Sequence, residues 1–323
     1  MSKTSTDPGR HALNGATMGT RWSALFHADR DPGPIHAALQ AAVDEVDAQM
    51  STWKPQSDLM RLNAAPVGEW LPVPKRLMQV LDLGLAVGRA SNGAFDIGMG
   101  EAVSAWGFGP EAAEASAIRN AMGLPHRPAH EVLELDPADC RVRKLAPLRL
   151  DLNGIAKGYG TDRLAEVLQD FGIRAGLVGI DGEMRALGLR PDGTPWTIAV
   201  EAPDHDRRAP HSIIALEDAA IATSGDYRHW VDVGGRRLSH TMDPRRGAPL
   251  MQSPASVTVV ARSCAEADAW ATALMVLGPE AGREPARRAG IEALFLMRHG
   301  EGIETAALGG LFAQAVEPVP APS

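Results

Sequence analysis

Apolar side chains recur along the chain with two periods, and the changes of period mark out the elements. Thr20 to Ala28 reads as a strand. His36 to Met50 sets Leu39, Val43, Val46 and Met50 at helical spacing. Pro72 and Pro74 precede a second helix, Lys75 to Ala90, whose Leu77, Val80, Leu81, Leu85 and Val87 make a mostly apolar face, and Ser91-Asn92-Gly93 ends it. Between Pro110 and Pro147 five prolines, mixed charges and one short strand candidate, Glu131 to Leu135, indicate a connecting region and a loose boundary between two lobes.

Leu148 to Leu152 predicts a short strand that turns at Asn153-Gly154 into a helix, Ile155 to Phe171, stopped at Gly172. Strand candidates then follow in series: Ala175–Ile180, Glu183–Leu189, Trp196–Glu201, Ser212–Leu216, Ala220–Ser224, Arg228–Val233 and Arg237–Met242. Asp181-Gly182, Asp192-Gly193 and Gly234-Gly235 supply hairpin-type turns between some of them. A strand at Ser256–Ala261 and a helix at Cys264–Leu277, ended by Gly278-Pro279, complete the pattern. Runs of strands flanked by helices predict an α+β fold with a largely antiparallel sheet. Residues 1–14 read as a polar tail, 15–316 as one two-lobed unit and 317–323 as a flexible tail, with no internal repeat.

The length of 323 residues suits one large domain or two fused lobes, and 45% hydrophobic with 22% charged residues is ordinary globular usage. A net charge of −8 with no dense Lys/Arg run argues against general nucleic-acid binding. Cys140 and Cys264, far apart and outside any CxxC spacing, read as buried thiols rather than a disulfide or zinc framework. No stretch approaches the roughly 20 apolar residues of a membrane span, and the N-terminal segment has neither a signal-peptide core nor a lipidatable Cys. The expected location is the cytoplasm.

Four clusters carry candidate chemistry, and each also has a plain structural reading. Asp268 and Thr272, at i and i+4 of a helix, stack a carboxylate and a hydroxyl on one face. They fit a solvated face or a local hydrogen bond, or one corner of a Mg²⁺–phosphate site. In Leu150–Asp162, LDLNGIAKGYGTD, a Gly-containing turn leads into a helix with Lys157 in its first turn. That arrangement suits an anion, or simply a capped helix, and the GxxxxGK[ST] pattern of a P-loop is missing. In Ser239–Leu250, SHTMDPRRGAPL, a strand carries His240 into an Asp-Pro turn, where it could move a proton near neutral pH or merely hold structure. In Ser91–Pro110, Phe95, Asp96, Trp106 and Phe108 lie among glycines and could frame a planar heterocycle or belong to the core.

Together with MGTRW (Met18–Trp22), STWKPQSDLMRLN (Ser51–Asn63), GAFDIGMGEAVSAWGFGP (Gly93–Pro110), PDGTPWTIAVEAP (Pro191–Pro203), ATSGDYRHW (Ala222–Trp230) and SVTVVARSCAEADAWATALMVLG (Ser256–Gly278), these segments follow the order of motifs in the ApbE family of FAD:protein FMN transferases. The resemblance spans about residues 18 to 278. It implies an α+β protein related to the T-fold, monomeric or homodimeric, that binds FAD and uses Mg²⁺ to cleave its pyrophosphate. FMN would pass through its phosphate to a Thr or Ser hydroxyl of an acceptor flavoprotein, with release of AMP. Carried over by motif, Met18, Trp53, Ala94, Phe95, Asp96, Asp151, Lys157 and Met242 resemble flavin-nucleotide contacts. The Gly154 carbonyl with Asp268 and Thr272 resembles the Mg²⁺ set, and His240 the residue that takes the acceptor proton, so Asp268 and His240 are the candidate catalytic pair.

The chain departs from the family pattern in places. Trp53 stands where Tyr is frequent, GIDGEM (Gly179–Met184) replaces a GGD run, Arg246 replaces a Thr, and Ile97-Gly98 replaces Pro-Thr. The role of Asp181 or Glu183 is therefore open, and the lipoprotein or secretion signal of many members is missing. Two other functions share the same residues: a carrier that binds FAD without turnover, and a pyrophosphatase that releases free FMN and AMP.

Overall fold

The computed structural model describes residues 9–123, 126–203, 209–226, 230–233, 236–300 and 302–312. Eight strands form the central sheet, in the order Arg10–Thr17, Thr20–His27, Gly176–Ile180, Glu183–Leu187, Ala220–Gly225, Ser256–Ala261, Glu292–His299, Gly302–Leu308. Every adjacent pair is antiparallel. Two-residue turns set the register at the first and third junctions. Met18 and Gly19 (φ 43° and 73°) join strands paired Thr17 to Thr20, and Asp181 and Gly182 (φ 52° and 105°) join strands paired Ile180 to Glu183. Two successive positive φ values are the requirement of a type I′ turn, which is why Asp-Gly serves here.

Both faces of the sheet are covered. Val257 and Val259 point into a cluster with Trp270, Leu274 and Phe295, on the side of the helices Ala156–Asp170 and Cys264–Ala289. Val260 joins Trp196, Ile198, Leu294 and Phe312 under the hairpin Trp196–Glu201/Pro210–Leu216. Burial on two faces explains why Ser256–Ala261 reads as an unbroken apolar run instead of an alternating one. The helix Gly33–Met50 lies against Ala156–Asp170, and Lys75–Ala90 against Cys264–Ala289.

Two of these helices approach unusually closely. A Cβ on Gly158 would sit 2.3 Å from the Cys264 carbonyl oxygen and 2.8 Å from Asp268 Cβ. The buried Asp162 carboxylate ties the same helices together by accepting the N–H groups of Cys264 (2.8 Å) and Ala265 (2.9 Å), and it pairs with Arg185 Nη1 at 2.6 Å. These are two of the free N–H donors that open every helix. Ser263 caps a third, accepting from Glu266 at 3.2 Å.

Several predicted boundaries shift. Residues 10–14, read as tail, belong to the edge strand Arg10–Thr17. Leu148–Leu152 joins no ladder, because its backbone is bonded elsewhere: Leu150 N–H and C=O to the Asn63 amide (2.7 and 3.0 Å), Asp151 N–H to Ile97 O (2.8 Å). The Glu131–Leu135 candidate begins as a helical turn, Ala129–Val132, and becomes strand at Leu133–Asp136. The last helix continues to Ala289 after a break at Gly278 (φ 71°, ψ 176°). Arg237–Met242 divides into Arg236–Ser239 and Met242–Asp243, leaving His240 and Thr241 at the break. Of the Arg228–Val233 candidate the described strand is Trp230–Val233; Arg228, like the tails 1–8 and 317–323, lies outside the described residues. Cys264 is buried, whereas Cys140 is half-buried in a turn, which corrects the expectation of two buried thiols. Among the described residues no helix is long and apolar enough to cross a membrane.

Candidate functional site

Turns and helix ends converge on a cleft of about 1270 Å³. The Met18-Gly19 and Asp181-Gly182 turns form part of its wall, and the start of the Lys157 helix, the Asp268 helix and the segments around Trp53, Phe95 and His240 supply the rest. The twelve residues given a flavin-contact, cation or proton-transfer role by the family resemblance all line it: Met18, Trp53, Ala94, Phe95, Asp96, Asp151, Gly154, Lys157, His240, Met242, Asp268 and Thr272.

Their placement follows from local sequence. Ser91, at the end of the helix Lys75–Ala90, donates to Gly88 O (3.3 Å) and accepts from Phe95 N–H (3.1 Å), which folds Ala94–Asp96 back into the cleft. Below the His240 break, Asp243 holds the turn by accepting Arg245 N–H on its side chain (3.0 Å) and Gly247 N–H on its carbonyl (3.0 Å). Gly247 in turn accepts Trp106 Nε1–H at 3.0 Å. Trp106 is therefore a buried brace for the His240 segment, while Phe108 is the aromatic of that pair that lines the cleft.

The polar floor is crowded with charge. Lys157 Nζ lies 2.7 Å from Glu183 Oε1 and 3.4 Å from Asp181 Oδ2. Thr20 Oγ1 donates to the other oxygen of Asp181 at 3.3 Å. Glu183, 4% exposed, has its second oxygen, Oε2, buried without a hydrogen bond from any described residue. Asp268, 5% exposed, accepts the Gly158 N–H at 3.0 Å through Oδ2. Burial pushes the Asp268 carboxyl up to about 6 against the opposing pull of Lys157 and the Gly158 N–H, and pushes Glu183 up to about 7, again with Lys157 opposing. Burial works to lower the Lys157 ammonium, but Glu183, Asp268 and Asp181 outweigh it and the net shift is upward, so Lys157 stays charged.

Two other carboxylates are committed locally. Asp96 accepts the N–H groups of Gly98 (2.8 Å) and Ala129 (3.0 Å) on Oδ1 and lies 2.5 Å from His126 Nε2 on Oδ2. Its charge thus serves the turn that carries Phe95. Asp151 holds Asn153 by both N–H and side-chain amide at 2.9 Å, and burial raises it to about 6 with Asn153 and Arg149 opposing. Trp53 stands at the rim, 63% exposed.

A divalent cation has hard donors here. Asp268 and Thr272 share a helix face one turn apart, and a Cβ on Gly154 would lie 3.1 Å from Thr272 Oγ1, so the Gly154 backbone abuts that hydroxyl. Ser224 Oγ is 3.4 Å from the same hydroxyl. Among the described residues no three His, Cys, Asp or Glu side chains cluster as a metal cage. One carboxylate with hydroxyl and carbonyl donors is nevertheless what Mg²⁺ uses when substrate phosphates complete its shell, so the residues present fit that ion.

Asp181 and Glu183 are the site residues that motif reading left open. The Asp181-Gly182 turn signal was present, but only the pairing of its strands with Thr20–His27 on one side and Ala220–Gly225 on the other brings both acids to Lys157. Ile198–Glu201, on the hairpin beneath the sheet, also reaches the cleft, with no sequence signal beyond strand periodicity.

A model of the ApbE family matches residues 18–295. Among curated proteins, a FAD:protein FMN transferase of Klebsiella pneumoniae is 34% identical over 304 residues, covering 91% of this chain and 86% of the relative. One of Vibrio cholerae is 36% identical over 303 residues, covering 90% and 89%. Among solved structures, the apo form of the Pseudomonas stutzeri flavinyl transferase ApbE superposes with a TM-score of 0.82 at 36% identity over 95% of this chain and 96% of that one.

Proposed function

The chain belongs to the ApbE family, and from that premise we propose that it is a flavin transferase whose substrate is FAD and whose product is a protein carrying FMN. The observation that carries the reading is the convergence of a flavin-sized, partly apolar cleft with an acid–lysine floor and a histidine at its edge. Phe95, Phe108, Met18, Met99 and Met242 offer the apolar walls a planar ring system needs, and Trp53 offers an aromatic face at the rim. Lys157, in the first turn of its helix, offers a cation at the floor for the pyrophosphate.

In the finer form of the proposal, the hydroxyl oxygen of an acceptor Thr or Ser attacks the FMN-side phosphorus of FAD. The bond from that phosphorus to the bridging oxygen breaks, AMP leaves with the bridging oxygen, and the hydroxyl proton passes to His240. Asp268, Thr272 and the Gly154 carbonyl would hold Mg²⁺, which when bound offsets charge on the phosphate oxygens. Lys157 steadies the phosphates and the cleft wall keeps the flavin in line, the division of labour expected where positioning and electrostatics supply most of the rate.

The test is incubation of the purified protein with FAD, Mg²⁺ and an acceptor flavoprotein domain, read by intact mass and by AMP. An acceptor heavier by one FMN phosphoryl group, with AMP in equal amount and both dependent on Mg²⁺, is the expected result. AMP with free FMN and no adduct would make the protein a pyrophosphatase, and tight FAD binding without AMP would make it a carrier.

A further inference from the structure

Lys157 is a cation of the cleft floor, yet among the described residues around it the acids outnumber it. Glu183 Oε1 holds its ammonium at 2.7 Å, Asp181 Oδ2 stands at 3.4 Å, and the Asp268 carboxylate also acts on it. Among the described residues around Lys157, three carboxylates stand against one ammonium, and where all three are ionised that part of the floor is negative. A pyrophosphate arriving alone would meet like charge and a lysine whose attraction is engaged elsewhere. Glu183 lies nearer to Lys157 than Asp181 does, and neither the cation set nor the flavin contacts require it. It is also built to stay: its side chain is buried, it starts a central strand, and Oε2 has no hydrogen bond from any described residue, so Lys157 is its main side-chain partner.

Resting on the flavin-transferase reading above, we propose that Glu183 is a positioning residue that acts through Lys157 to make FAD binding depend on the divalent cation. With Glu183 ionised, the lysine is neutralised and the floor accepts the pyrophosphate only when a cation at Asp268 restores the balance. With that charge removed, Lys157 is released toward the phosphates and FAD binds without the cation. The device would keep the cleft from filling with FAD that lacks the metal needed for transfer.

The experiment is a titration of FAD into the full chain, read by quenching of flavin fluorescence, in Mg²⁺ and in excess chelator. A buffer at about pH 8 keeps Glu183 and Asp268 ionised. The wild-type protein should bind FAD much more tightly in Mg²⁺. Glu183→Gln, which keeps the shape and the strand, should bind FAD about tenfold more tightly than wild type in chelator, so the gain on adding Mg²⁺ shrinks by the same factor. Asp181→Asn, at a half-exposed turn position that Asn tolerates at positive φ, should move the ratio the same way by less, and it carries the test should Glu183→Gln fail to fold. An Mg²⁺ gain in Glu183→Gln as large as in wild type, or in Asp181→Asn where that variant carries the test, would overturn the assignment of Glu183 alone. Wild-type protein that binds no FAD in either buffer would overturn the flavin-transferase reading itself.

Discussion

Replacing Asp268 by Asn should make the protein more stable and inactive at the same time. The carboxyl is buried, and burial lifts it to about 6 from 3.8. Its unfolded-state value is the lower one, so the native state resists ionisation. The sign follows directly: the native protein is unpenalised below the unfolded value and loses stability as pH rises through the folded one. A shift of about two units corresponds to about 3 kcal/mol above pH 7, with the attraction of Lys157 already included. Asn keeps the shape and can accept the Gly158 N–H that Oδ2 accepts at 3.0 Å. Without divalent cation, Asp268→Asn should therefore exceed wild type by about 1–3 kcal/mol at about pH 8, and by almost nothing at about pH 4. Mg²⁺ should raise the stability of wild type in proportion to the logarithm of its concentration over Kd and leave the variant unmoved. Turnover of FAD should fall by more than about a hundredfold in the variant. Urea titrations at the two pH values, with and without Mg²⁺, and an AMP assay read all of this. A variant less stable than wild type at about pH 8 without cation, or one that still releases AMP at a Mg²⁺-dependent rate, would refute the placement of a strained, metal-binding carboxylate at this position.

His240→Ala should slow transfer while leaving the FAD dissociation constant nearly unchanged; equal losses in both, measured by single-turnover adduct formation and by flavin fluorescence, would make His240 a binding residue instead. Gly158→Ala places a Cβ 2.3 Å from the Cys264 carbonyl oxygen, a backbone atom that cannot step aside without moving a helix, and should cost about 1–3 kcal/mol and weaken the response to Mg²⁺; an unchanged urea midpoint would show the two helices to be loosely coupled. Trp53→Ala removes a side chain 63% exposed at the rim, so stability should stay within about 0.5 kcal/mol while the KM for FAD rises. A KM equal to that of wild type would remove Trp53 from the flavin contacts.

The parts of the fold legible in the sequence are those whose signal is local. Lys75–Ala90, Trp196–Glu201 and Ser256–Ala261 were delimited to the residue by periodicity and by their bounding turn or proline residues. Elements with weak local pattern are not legible: the edge strand Arg10–Thr17 has one face in solvent and few apolar residues, and nothing sets Glu292–His299 and Gly302–Leu308 apart from the C-terminal stretch although they form the last two strands of the sheet. Leu148–Leu152 failed for the opposite reason. It has strand-like composition, but an Asn63 side chain takes the backbone bonds a neighbouring strand would have made.

The site divides along the same line. Single-segment features, such as Asp268 and Thr272 on one helix face or Lys157 in a first helical turn, could be found by spacing and by motif order, and they do share one cleft. What no spacing encodes is the set of charges around Lys157, because Asp181 and Glu183 reach it from one hairpin and Asp268 from a helix far along the chain, brought together by the order of strands in the sheet and by the Gly158 helix crossing. A lysine at a helix start reads as a phosphate binder when seen alone. With three acids acting on it, its charge is, on the proposal above, available only conditionally, and the proposed condition, a divalent cation beside Asp268, would be set by residues that the motif around Lys157 does not contain.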